Sequence, residues 1–289
     1  MLLQIIVNGL AMGCIYTLVA LGIILIYNAT QAINFSQGEF VMMGAYLAIG
    51  FLGAWKLPYI YILILVVLCM AVFGMVFERI AYYPLRKADP LTVIISTLGV
   101  SIFLKNMALI VWGPLPLFFG QPFKGRMVDL GFVTLNPQHL LIISVTVTLI
   151  VLLYIFFEKT PAGRIVLATS QDAEAAKLMG IRTSKVVMVV FMIGSALGAV
   201  AGILLAPIFF ANTEMGYLVG MKAFAGAIIG GFGKIEGAIV GCLFLGIVEI
   251  LTASFISSVY RDAFAFLVLI VVLMIKPQGF FGEKVSEKV

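Results

Sequence analysis

Charge is what this sequence has least of. Asp, Glu, Lys and Arg make up 11% of its 289 residues, where soluble domains carry about 25%. Hydrophobic residues reach 63% and mean hydropathy is +1.19. A water-soluble fold has no interior large enough to hide so much apolar surface, and no polar stretch is long enough to form a separate soluble domain. One membrane domain over 1–289 is therefore expected. Histidine is reduced to His139, which reads as an interfacial side chain beside Pro137 rather than a base. GxSxG, HExxH and paired-carboxylate patterns are missing, so nothing points to an enzyme. Cys14, Cys69 and Cys242 lie far apart in apolar runs without a CxxC pair, which suggests neither a metal site nor a disulfide framework. A net charge of +5 is too small to mark a nucleic-acid partner. No Lys or Arg precedes Lys56, so the apolar run Leu2 to Tyr27 lacks the basic start of a signal peptide and reads as a retained membrane helix.

What the chain does have is long apolar runs. A helix needs about 20 residues to cross a hydrocarbon core of about 30 Å. Runs at 2–27, 39–54, 58–78, 92–112, 138–157, 186–210, 238–256 and 262–276 meet or approach that length, and 218–232 is a shorter span or a re-entrant helix. Eight or nine crossings are expected, some of them broken. Basic residues cluster at Arg79, Arg86 and Lys87, along 158–185, and at Lys276, Lys284 and Lys288. The positive-inside rule places these regions in the cytoplasm, with the N-terminus outside and 113–137 as an external loop, although Lys124 and Arg126 sit in that loop. Gly194, Gly198 and Gly202 repeat every fourth residue. Gly9 and Gly13, Gly226 and Gly230, and Gly237 and Gly241 share that spacing. Small residues at such intervals let helices approach closely in lipid, so the row predicts a helix-packing face.

The stretch "INFSQGEF", 33–40, interrupts this pattern with Asn34, Ser36, Gln37 and Glu39. A weak echo of it appears in the second half at "FFANTEMGYLVGMKAF", where an Asn/Thr break again precedes a helix carrying one charge, Lys222. Interrupted helices related by an internal repeat line the path in many transporters. A charge at the bilayer centre costs about 2.5–3.5 kcal/mol on insertion scales and normally faces a cavity or a partner. Asn34, Ser36, Gln37, Glu39, Lys222 and Glu249 are therefore candidate residues of a translocation path, with Lys222 expected to meet a carboxylate. The plainer alternative for Glu39 is a favourable charge at a helix start. In "EKTPAGRIVLATSQDAEAAKLMGIRTSK", Thr169 and Asp172 fit a capping box that starts a short helix, and Gly180 fits its C-cap. Ala175, Ala176 and Met179 are expected on one face, pressed to another protein, and Thr183 and Ser184 are expected to cap the next span. "GGFGKIEG" resembles a phosphate-binding loop only in outline. Ile235 follows the lysine and Ile228 stands where the first glycine belongs, so the chain has no ATP site of that kind.

"EAAKLMGI" at 174–181 resembles the coupling loop of ATP-binding cassette (ABC) importer permeases. "INFSQGEFVMMGAYLA" and "GAIIGGFGKIEGAIVGCLFLGIVE" resemble the high-affinity branched-chain amino acid permeases, and the overall length is similar to their shorter, H-type subunit. The likeness runs along nearly the whole chain. It implies an all-α polytopic bundle in a bacterial or archaeal inner membrane. It also implies that Glu174, Ala175, Ala176, Gly180 and Ile181 dock on a cytoplasmic ATPase. Two such ATPases, a second and longer permease and an external substrate-binding protein would complete the importer. The chain itself would carry no cofactor, ATP being bound by the ATPases. Urea or short-amide importers share these motifs and are the nearest rival. A proton-coupled carrier using Glu39 and Glu249 is a more distant one.

Overall fold

The computed structural model describes residues 2–55, 57–120, 128–129 and 134–282. Its α-helices run α1 Leu2–Thr30, α2 Gln37–Trp55, α3 Tyr59–Phe77, α4 Pro90–Trp112, α5 Pro137–Lys159 and α6 Pro161–Gln171. They continue as α7 Ala173–Leu178, α8 Thr183–Leu205, α9 Met215–Gly230, α10 Ile235–Phe255 and α11 Arg261–Ile275. A π-turn, Glu78–Tyr82, and a 3₁₀ turn, Tyr83–Leu85, extend α3. Each apolar run expected from the sequence is a helix, with ends shifted by up to about five residues. Seven of the helices, α1 to α5, α8 and α10, are long and apolar enough to cross a membrane, while α9 has 16 residues and α11 has 15.

Burial sorts these helices into layers. α1 is apolar on all sides and enclosed along most of its length, and α8 is largely enclosed beside it. A helix without a polar face is stable only where every side meets apolar material. α3, α4 and α5 keep most of their apolar side chains on the outside, as Ile102 and Ile110 do, where lipid rather than water is their solvent. Asn136 caps α5 by accepting a hydrogen bond from Gln138 N at 2.9 Å. Between α4 and α5 a two-residue antiparallel pair joins Val128–Asp129 to Thr134–Leu135. Lys124 and Arg126, which weakened the orientation rule, and Lys284 and Lys288, which supported it, lie outside the described residues.

The glycine row acts as expected. A Cβ on Gly194 would stand 3.0 Å from Ile26 Cδ1, and one on Gly198 would stand 2.9 Å from Phe40 Cβ. One on Gly202 would strike the Val41 carbonyl. α8 thus lies directly on α1 and α2. The other glycine pairs close the second half. Gly9 and Gly13 face the α10 backbone at Ile247 and Leu243, and Gly226 and Gly230 meet Gly241 and Gly237. "GGFGKIEG" forms the turn from α9 to α10, with Gly231 and Gly233 at positive φ.

Candidate functional site

The polar stretch at 33–40 is a break between α1 and α2, and it folds on its own side chains. Asn34 Oδ1 accepts from Ser36 N at 3.1 Å, in the way Asn commonly shapes a local turn. Ser36 Oγ donates to the Thr97 carbonyl of α4, and Gln37 Nε2 donates to the Gly194 carbonyl of α8 at 2.8 Å. Glu39 Oε1 accepts from Ser101 Oγ at 3.0 Å. All four residues, Asn34, Ser36, Gln37 and Glu39, are buried. Their satisfaction is incomplete: Asn34 Nδ2, Gln37 Oε1 and Glu39 Oε2 have no hydrogen-bond partner among the described residues. Beside them lies a cavity of about 50 Å³, lined by Asn34, Gln37, Gly38, Ser101, Gly216 and Gly220 together with apolar side chains.

The second break, 206–214, leads into α9, and the starts of α2 and α9 lie against each other. A Cβ on Gly220 would stand 2.9 Å from Gly38 Cα, and one on Gly216 would stand 2.8 Å from Glu39 Oε2. α2 and α9 therefore both begin inside the bundle, and their N-termini converge on the cavity. The juxtaposition agrees with the echo between the two halves of the sequence.

Lys222 and Glu249 form a different group. Lys222 Nζ lies 2.7 Å from Glu249 Oε1 and 2.6 Å from Asp262 Oδ1, and Arg261 Nε lies 2.9 Å from Glu249 Oε1. Tyr16 donates to Glu249 Oε2 at 2.5 Å. Side-chain exposure is 4% for Lys222 and 0% for Glu249. Two cations and two anions thus meet between α1, α9, α10 and α11. The six residues singled out for a path divide into these two groups, with Glu39 in the first and Lys222 and Glu249 in the second. Sequence reasoning passed over Tyr16, Thr97, Ser101, Arg261 and Asp262. Arg261 and Asp262 are the first two residues of the apolar helix α11, and a charge at a helix end is unremarkable. The hydroxyls sit within apolar runs, and no local signal distinguishes them.

On the basic side of the chain, segment 158–185 contains α6 and α7. The capping box is replaced by a simpler device. Thr169 lies inside α6 and donates back to the Ile165 carbonyl, while Asp172 alone caps α7, accepting from Glu174 N and Ala175 N at 2.9 Å each. Gly180 does close α7. Its φ is +83°, its N–H bonds Lys177 O, and Ile181 N–H bonds Ala176 O, the paired bonds of a left-handed helix stop. Thr183 and Ser184 lie in and at the start of α8, whose N-cap is Arg182 and has no side-chain cap bond. The face of α7 also differs from expectation. Ala176 packs inward at 5% exposure, Glu174 and Ala175 are exposed, and the apolar side chains left bare are Leu178 at 89% and Met179 at 83%. α7 packs on α6 and α8 of the same chain, and Ala176 is its buried residue.

The helices define a polytopic membrane protein, and comparison with known proteins makes its class specific. A family model described as the permease component of branched-chain amino acid transport systems matches residues 5–273. The chain belongs to that family. It is 36% identical over 302 aligned residues to the high-affinity branched-chain amino acid transport system permease protein LivH of Escherichia coli K12, covering 99% of this chain and 97% of that one. It is 34% identical to BraD of Pseudomonas aeruginosa, named as a permease protein of the same kind of system, covering 99% and 98%. A probable branched-chain amino acid transport permease of Methanocaldococcus jannaschii is 29% identical, covering 92% and 88%.

Proposed function

We propose that this chain is the membrane permease of an ABC importer, carrying branched-chain or other hydrophobic amino acids handed over by an external binding protein. The family match over 5–273 carries the reading. Two cytoplasmic ATPases bind and hydrolyse ATP, and a second permease, a longer paralogue, completes the pathway. The N-terminus faces outward and the C-terminus faces the cytoplasm of a bacterial or archaeal cell.

The local geometry supports a coupling role for α7. It is a short helix fixed at both ends, with Asp172 at one and Gly180 at the other, and it offers Leu178 and Met179 to a partner. Only Ile181 and Arg182 separate its stop from α8. A push on α7 is passed to α8, and α8 holds Gln37 through the Gly194 carbonyl. The ATPase contact is thereby linked to the break at 33–40 by one rigid helix.

The test is ATP hydrolysis and uptake by the reconstituted complex with leucine, isoleucine, valine, urea and short amides. Stimulation by the aliphatic amino acids is expected. A response to urea or amides alone overturns the substrate class, and uptake by the lone subunit makes the protein a carrier. Replacing Leu178 and Met179 together by Asp is expected to abolish ATPase co-purification while the melting temperature stays within about 2 °C, since both side chains are exposed.

A further inference from the structure

The pocket at the two helix breaks has a polarity that its own residues do not use up. Glu39 Oε2 and Gln37 Oε1 are acceptors, Asn34 Nδ2 is a donor, and none of the three has a partner among the described residues. Each of these residues is at most 2% exposed. A buried polar atom without a partner costs roughly 1–3 kcal/mol, and a charged one more. Asn34 and Gln37 line the cavity, and Glu39 stands just behind its wall, against the lining residues Ser101 and Gly216, so the unsatisfied atoms point to something that enters and satisfies them. Their arrangement also has a direction. The Glu39 carboxylate calls for a cation that carries N–H groups. The amide N–H₂ calls for an acceptor, and the N-terminus of α9, whose aligned peptide dipoles carry partial positive charge, favours an anionic one. Around this polar set stand Ile23, Ile33, Leu98, Met221 and Phe224, which offer an aliphatic ligand its apolar surroundings.

We propose that this pocket is the head-group subsite through which a zwitterionic aliphatic amino acid passes. Its ammonium donates to Glu39 Oε2, on the side of α2 that faces α4 and α9, and its carboxylate accepts from Asn34 Nδ2. The assignment rests on the transport reading above and names the residues that act in it. At about 50 Å³ the cavity takes a few waters but not a whole leucine. The pocket opens by parting α2 from α9, which meet there through Gly38, Gly216 and Gly220 without interlocking side chains. Glu39 then pairs with substrate during passage and, in the closed state, keeps only its Ser101 bond.

The test uses the whole complex with a cysteine at Met221, which lines the cavity, and follows its reaction with a small thiol reagent during ATP turnover. Leucine is expected to shield the cysteine at least fivefold. 4-Methylpentanoate, which lacks the ammonium, and 3-methylbutylamine, which lacks the carboxylate, are expected to shield it less than twofold. Glu39→Gln is expected to assemble with its ATPases, to lose the shielding and to take up leucine at least tenfold more slowly, with Glu39→Asp recovering part of both. Equal shielding by all three compounds, or none by leucine, overturns the subsite. So does Glu39→Gln uptake within twofold of the unmodified complex. If leucine drives uptake without shielding, the subsite falls and the transport reading stands. If only urea or amides drive uptake, both fall.

Discussion

The quartet of Lys222, Glu249, Arg261 and Asp262 and the pocket at Asn34, Gln37 and Glu39 both bring charge into the bundle, but only the quartet balances it. In the quartet each cation touches a carboxylate, and Tyr16 takes the remaining Glu249 oxygen. At the break beside the cavity three polar atoms are left over. A closed electrostatic circuit holds helices together and gains nothing from a ligand, whereas an open one is stabilised by a ligand. Buried charge alone therefore does not call for a ligand; unsatisfied buried polarity beside a cavity is what the proposed subsite rests on.

The sharpest way to break this contrast is Lys222→Met. It removes the cation between Glu249 and Asp262 and leaves a carboxylate with no exposure short of one partner. Breaking one side of a buried pair costs about 3–5 kcal/mol, so the melting temperature and folded yield in detergent should fall steeply. Adding Glu249→Met should recover part of the loss. A double variant no better than the single one would show that the quartet is not a balanced unit. Gly38→Ala comes next. Its new Cβ runs into the Gly216 carbonyl, and overpacking of this kind costs about 1–3 kcal/mol. Thermal unfolding should report that loss, and leucine uptake should fall further than the stability change explains. The mildest is Ser101→Ala, which takes the one donor from Glu39 Oε1 at a cost of about 1 kcal/mol. The KM for binding-protein-delivered leucine should change two- to fivefold with little shift in melting temperature. A large melting shift with unchanged KM would make Ser101 a packing residue instead.

Much of this organisation was legible in the sequence. Apolar run length located the helices because lipid imposes it, and the four-residue glycine spacing identified the face of α8 that touches α1 and α2. Gly180 was readable as a helix stop because a left-handed residue is normally glycine. Partners were less legible. Ser36 and Glu39 find Thr97 and Ser101 some 61 and 62 residues away, and no periodicity encodes which hydroxyl of a neighbouring helix will face them. The same holds for Tyr16, 233 residues from Glu249. Thr169 misled because Pro161 starts a separate helix upstream that absorbs it, leaving Asp172 to cap α7 unaided.

The neutral quartet also bears on how the protein is made. Lys222 is synthesised 27 residues before Glu249 and 40 before Asp262. When α9 leaves the ribosome it is 16 residues long and carries a cation whose counter-ions do not yet exist. Lipid is a poor resting place for such a segment. The Lys222 charge is balanced only once α10 and α11 stand beside it, so the segment that suits lipid is 215–275 taken together and not α9 alone.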